Sequence, residues 1–211
     1  MCARNINGGE DNPWLQNAEL SLNDIVTIFP DQFIQQLNHM FMCGNYGDPI
    51  VAKDTLKVFK GLPHRCQTVG HIDSVAYIND SKATNVGATV AALKGFGAKG
   101  HKNIILIAGG QAKGQDFSAL QKVAKNVVKR VILIGEDADK LKSALNDSVE
   151  IEVVDSMQSA LFSSHQAAES GDTVLLSPAC ASFDMFDGFE HRGHCFIEAV
   201  DAMASAQGSV Q

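Results

Sequence analysis

Ile78-Asn79-Asp80-Ser81-Lys82-Ala83-Thr84-Asn85 joins two segments of different periodicity. The apolar alternation from Val75 to Ile78 reads as a strand, and Gly87-Ala88-Thr89-Val90-Ala91-Ala92-Leu93 reads as a helix. A polar turn between a strand end and a helix start is where an α/β protein seats an anion. The first N–H groups of the helix lack partners there and carry about half a positive charge. Lys82 adds a full charge, and Asp80 suits a metal-bound water, Lys82 or a ribose. Ser81, Thr84 and Asn85 are also good N-caps, and a cap needs no ligand. The lysine inside the turn is the part that capping does not require.

Working outward, Asn103 to Ala108 is a continuous apolar run bounded by Gly109-Gly110, the pattern of a strand buried on both faces. The spacing predicts helices over 85–95, 117–129, 137–145, 157–169 and 189–204. It predicts strands over 130–134, 149–154 and 172–177, and a hairpin over 66–78 around Gly70-His71-Ile72-Asp73. Strands alternating with helices through short turns imply a Rossmann-like, mostly parallel sheet with helices on both faces. Residues 60–65, Lys-Gly-Leu-Pro-His-Arg, form a stiff turn taken as a domain boundary, so 61–211 is one α/β domain. Residues 1–60 read as a separate, partly irregular region, with helix candidates at 31–43 and 50–59.

Such sheets bind ligands beyond the carboxyl ends of their strands. Three polar turns stand there: 79–85, 109–116 and 177–188. The second, Gly109-Gly110-Gln111-Ala112-Lys113-Gly114-Gln115-Asp116, combines glycines that permit close backbone approach with the charge of Lys113. It matches neither the dinucleotide nor the P-loop fingerprint. The third is long for a strand-to-helix connection, which favours a functional loop. Ser182 suits a carboxylate. Phe183, Phe186 and Phe189 either shape a pocket or anchor the loop, and Glu190 with Arg192 reads as a local pair.

Composition excludes some classes. A net charge of −7 argues against nucleic acid or an anionic membrane surface as the main partner. No apolar run reaches the ~18 residues of a membrane span, and the N-terminus has no apolar signal core. Five cysteines, an odd number with no CxxC pair, fit a reduced, cytoplasmic protein. His191, His194 and Cys195 have metal-like spacing, but no second ligand cluster accompanies them, and no metal site is expected.

Four segments in order carry a resemblance: Gly61-Leu62-Pro63-His64-Arg65, Ile78 to Asn85, Leu176-Ser177-Pro178-Ala179-Cys180-Ala181-Ser182, and Phe189-Glu190-x-Arg192-Gly193. Over roughly 50–200 the chain resembles the C-terminal portion of the Mur ligase family of peptidoglycan synthesis, on its D-glutamate-adding branch. The resemblance implies an ATP-dependent amide ligation in the cytoplasm. The carboxylate of UDP-N-acetylmuramoyl-L-alanine is phosphorylated, D-glutamate attacks the acyl phosphate, and phosphate leaves. It implies that His64, Arg65, Asp80 and Lys82 hold ATP, with Lys82 and His64 catalytic. It implies that Thr84, Lys113, Ser182, Phe183 and Phe189 hold D-glutamate.

In the family, magnesium ligands and the phosphate loop belong to preceding domains. Residues 1–60 are therefore expected to be the tail of a central ATP-binding domain, and the chain is expected to be monomeric and inactive alone. Gln-Ala replaces the commoner Asp-Gly before Lys113, and Phe183 stands where Leu is common. The family's His-Asn pair has no counterpart at 31–35. The alternatives are a nucleotide- or amino-acid-binding module without catalysis, a nicotinamide-dependent oxidoreductase, which the missing glycine fingerprint disfavours, and a purely structural domain.

Overall fold

The computed structural model describes residues 5–6, 10–11, 61–98, 100–145 and 148–208. The helix candidates at 31–43 and 50–59 lie outside them. The chain divides into two compact units, Met1–Leu62 and Pro63–Gln211. In the first, strands β1 (Asn5–Ile6) and β2 (Glu10–Asp11) pair antiparallel.

The second unit is built on a six-stranded sheet. Its strands are β3 (Gln67–Ile72), β4 (Val75–Asn79), β5 (Ile104–Gly109), β6 (Val128–Ile134), β7 (Glu150–Val153) and β8 (Thr173–Leu176). The order is β3-β4-β8-β5-β6-β7, and only β3 runs antiparallel to its neighbour. Five helices complete it: α1 (Val86–Phe96), α2 (Ser118–Val127), α3 (Ala138–Leu145), α4 (Met157–Ala167) and α5 (Phe189–Gly208). The alternating side chains of β5 explain the layering. Ile104 and Leu106 face a core with Leu93 of α1, Leu120 of α2 and Leu141 of α3. Ile105 and Ile107 face a core with Leu161 of α4 and Phe196 of α5. Every residue of β5 is buried, as a strand covered on both faces requires.

Two local expectations shift. The hairpin turn lies at Asp73-Ser74, not at Gly70-Asp73. Asp73 and Ser74 take φ of 52° and 63°, so both central residues of the two-residue turn lie in the left-handed region, as tight hairpins favour. Gly70 instead marks the register shift between Thr68 and Gly70, where a glycine relieves a bulge. The helix expected to reach Lys129 ends at Val127, because Val128 enters β6 and pairs with Ile104.

Candidate functional site at the carboxyl ends of the strands

The three polar turns converge at one end of the sheet. Gln111 and Ala181 exchange backbone hydrogen bonds of 2.9 and 3.0 Å, which brings the Lys113 turn against the Ser182 loop. Gly110 makes this approach possible: at its φ of 119°, a Cβ would lie 2.1 Å from the Ala181 carbonyl oxygen. Ala179 N donates to Ala83 O at 2.9 Å and joins the first turn to the third. Gln115 locks the set, accepting from Val86 N and donating to the carbonyls of Ala112 and Ala179.

A hollow of about 190 Å³ forms where the turns meet, lined by Lys82, Thr84, Lys113, Ser182, Phe183 and Phe189 together with Ala181. Ser182 is buried, whereas Phe183 is 65% exposed and stands at the rim. Lys82 Nζ lies 3.7 Å from the centre of the Phe189 ring, a cation–π contact. Lys113 takes a left-handed φ of 51°.

A second hollow of about 520 Å³ adjoins Lys82. Arg65, Asp80 and Lys82 supply its polar lining, and Ala88, Ala91 and Phe96 supply its apolar lining from α1. Lys82 therefore lines both. Asp80 is buried: its Oδ1 accepts from Cys66 N at 3.1 Å and its Oδ2 from Ser177 Oγ at 2.8 Å. Burial pushes this carboxyl above its ordinary value, an effect opposed by the Ser177 and Cys66 donors and the Arg65 charge.

His64 is brought to neither hollow. It is buried, with its ring edge-on to His194 at 4.8 Å and to Phe189 at 6.1 Å. Asn79 Nδ2 lies 3.0 Å from His64 Nδ1, so that ring nitrogen accepts. The same amide reaches Gly193 O at 3.2 Å, and its Oδ1 accepts from Ser81 N at 3.1 Å. Burial, with the neighbouring His194, lowers the His64 pKa and favours the neutral ring. Gly193 leaves room for that ring, since a Cβ there would lie 2.1 Å from Nδ1.

The start of α1 differs from the sequence expectation. Asn85 is the cap and accepts from Ala88 N at 3.0 Å, while Val86 N is taken by Gln115 Oε1 at 3.0 Å. With these two N–H groups already bonded, the full positive charges at the hollows are those of Lys82, Lys113 and Arg65. Arg192 also departs from expectation. Residues two apart on a helix do not face each other. Glu190 is exposed and Arg192 is 1% exposed, so they form no local pair. The Arg192 guanidinium donates to Ser81 Oγ, Ser81 O and Cys180 O. Asn79, Ser177, Gln115 and Arg192 are the organising residues that sequence reasoning missed. For Arg192 the available signal was an arginine one turn into a helix that follows a loop of site residues.

His194 packs on His64, and His191 meets Asp187 at 3.3 Å. Among the described residues no group of three or more metal-ligating side chains forms, and no helix is long and apolar enough to cross a membrane.

UDP-N-acetylmuramoylalanine–D-glutamate ligase of Coxiella burnetii is 55% identical over 148 residues, 70% of this chain and 34% of the relative. The protein of the same name from Legionella pneumophila is 50% identical over 147 residues, 70% of this chain and 33% of the relative. The chain thus spans about a third of the length of the curated relatives it matches. The solved structure of E. coli FolC in complex with ADP, without folate substrate, aligns at 24% identity and a TM-score of 0.49, covering 68% of this chain and 33% of that chain. The model of the family described as Mur ligase, glutamate ligase domain, matches residues 64–180, and with the order of motifs around the two hollows it establishes that this chain belongs to the Mur ligase family.

Proposed function

We propose that the chain supplies the D-glutamate-binding part of a cytoplasmic ligase. That ligase joins D-glutamate to UDP-N-acetylmuramoyl-L-alanine for the cell wall at the expense of ATP. The observation that carries this reading is the 190 Å³ hollow, where two lysines, a threonine and a buried serine meet aromatic walls. A free amino acid with two carboxylates needs such a site: ammonium groups for charge, hydroxyls for direction, and apolar surface along the chain between them.

The adjoining 520 Å³ hollow is assigned to the nucleotide. Its apolar side suits a base, Asp80 a ribose, and Arg65 and Lys82 the phosphates. Lys82 stands between the two sites, placed to neutralise the phosphoryl group while D-glutamate waits in the other hollow. The amine nitrogen of D-glutamate attacks the acyl-phosphate carbonyl. The new C–N bond forms, the C–O bond to phosphate breaks, and the amine proton leaves to solvent or a base. Lys82 and Lys113 hold the anions through this step and stabilise the charge on the tetrahedral centre. His64 is assigned an indirect part: it keeps the Lys82 turn in place, its carbonyl accepting from Lys82 N at 3.0 Å.

The residues here do not fit a magnesium site. Asp80 is the single carboxylate lining this hollow, and the described residues hold no ligand cluster. No step is assigned to the metal in this part of the ligase. Residues 1–60 are assigned to the tail of an ATP-binding domain, and this chain alone is expected to be inactive and monomeric.

A chimera tests the reading. Residues 63–211 replace the corresponding part of the Coxiella burnetii relative, and phosphate release is measured with ATP, UDP-N-acetylmuramoyl-L-alanine and D-glutamate. The expected result is release that requires D-glutamate and falls at least ~100-fold with Lys82→Ala, the order of a lost transition-state charge contact. A folded chimera whose turnover ignores Lys82 contradicts it.

A further inference from the structure

Arg192 carries a charge that the reaction above leaves unused. It is the largest fully buried side chain of the described residues. Nε donates to Ser81 Oγ at 3.0 Å, Nη2 to Ser81 O at 2.9 Å, and Nη1 to Cys180 O at 3.1 Å. All three acceptors are neutral, and among the described residues the guanidinium forms no ion pair. Burial pulls its pKa down to about 10, still high enough to keep the charge at neutral pH. A buried cation whose three hydrogen-bond acceptors are all neutral is costly, even with the Asp184 carboxylate acting on it at longer range, and fold alone does not require one, because a neutral donor can serve a carbonyl.

The positions of its acceptors indicate what offsets that cost. Ser81 directly precedes Lys82, and Cys180 lies two residues before Ser182. Phe189, which lines the hollow, is one helical turn before Arg192 on α5. Ser81 Oγ in turn donates to Phe189 O at 2.7 Å. The guanidinium is therefore bonded to two segments that carry walls of the 190 Å³ hollow, and through Ser81 Oγ it is linked to a third, at Phe189.

We propose that Arg192 is a positioning residue for the anion in this hollow. It is a fixed positive charge behind the walls that favours a bound carboxylate without touching it. The proposal rests on the assignment of the hollow to an anionic ligand. Lys82 and Lys113 reach the ligand from mobile stems, while Arg192 is held by three bonds and shielded from salt.

The test is calorimetric titration of the full chain with sulfate and, separately, D-glutamate, in wild type, Arg192→Met and Arg192→Lys, with thermal melts as a check of folding. Arg192→Met is expected to bind both anions about tenfold more weakly, the order for one charge removed at several ångströms in a partly screened site. Arg192→Lys, which keeps the charge, is expected within about threefold of wild type on the same basis. A purely structural brace predicts otherwise, since an ammonium lacks the fork that holds both walls, so Arg192→Lys would then be as weak as Arg192→Met.

That result, or a folded Arg192→Met with wild-type affinity, overturns the proposal. If Arg192→Met does not fold, Arg192→Lys decides: affinity near wild type supports the charge, and a folded variant tenfold weaker overturns it. Wild-type protein that binds neither anion also overturns it. Sulfate bound in an Arg192-dependent way without D-glutamate keeps the proposal and rejects the D-glutamate assignment.

Discussion

Beside the two hollows that share Lys82, a third opens at the carboxyl ends of the strands, and it is larger than the one assigned to the amino acid. The one of about 190 Å³ is lined by Lys82 and Lys113. The one of about 480 Å³, beyond β6 and β7, is lined by Glu136, Asp155 and Asp184 and holds no cation. A carboxylate or phosphate is repelled by the roomier one, so charge decides which is the site. The surroundings differ in the same sense. Buried polar groups (Asn79, Asp80, Ser81, Thr89, Ser177, Ser182 and Arg192) gather behind the cationic hollow. The acidic one is lined by the exposed Glu136 and Asp155 and by four half-buried residues. Such buried networks hold a site at one geometry, at a cost that a stability-driven design would avoid.

The contrast can be broken at several points. Gly193→Ala should do the most damage, because its Cβ would overlap the His64 ring and force α5 away from the Lys82 turn. A loss of about 3 kcal/mol is expected in urea unfolding, at the upper end for overpacking. Next, Lys113→Ala should weaken D-glutamate binding about 100-fold, while Glu136→Gln in the acidic hollow leaves it unchanged, as calorimetry will show. Smaller again, Ser177→Ala removes the Asp80 Oδ2 donor and should cost about 1–2 kcal/mol, whereas Asp155→Ala, on an exposed side chain, stays within about 0.5 kcal/mol.

The smallest effect is on pH dependence. The His64 pKa is lowered in the fold, so the unfolded chain takes up a proton first as pH falls below about 6.5. Stability is full above that pH and declines below it. The melting temperature should drop between pH 7.5 and 5.5, and His64→Gln should flatten the drop. A variant with the wild-type slope would show that His64 contributes nothing to it.

The cationic half of this contrast was legible beforehand. The continuous run of β5 and its glycine ending marked a covered strand, and the lysines in two turns marked the cationic end. Thr84, Lys113, Ser182, Phe183 and Phe189 were set by resemblance and meet in one hollow. The rest depends on partners distant in sequence. Gln115 caps the first N–H of α1 from 29 residues away. Arg192 bonds Ser81 across 111 positions. His64 is held by Gly193 and Asn79, which no local pattern connects. Periodicity reports which face of an element is apolar, and it carries no record of a polar side chain drawn into the core by a remote carbonyl.

The most direct test is a titration of ¹⁵N-labelled chain with D-glutamate, with L-glutamate as the control. Shifts specific to the D enantiomer at Thr84, Lys113, Ser182 and Phe183, with Glu136 and Asp155 unmoved, are the predicted result. Equal response to both enantiomers, or shifts confined to the acidic hollow, would contradict the assignment of the cationic hollow to D-glutamate.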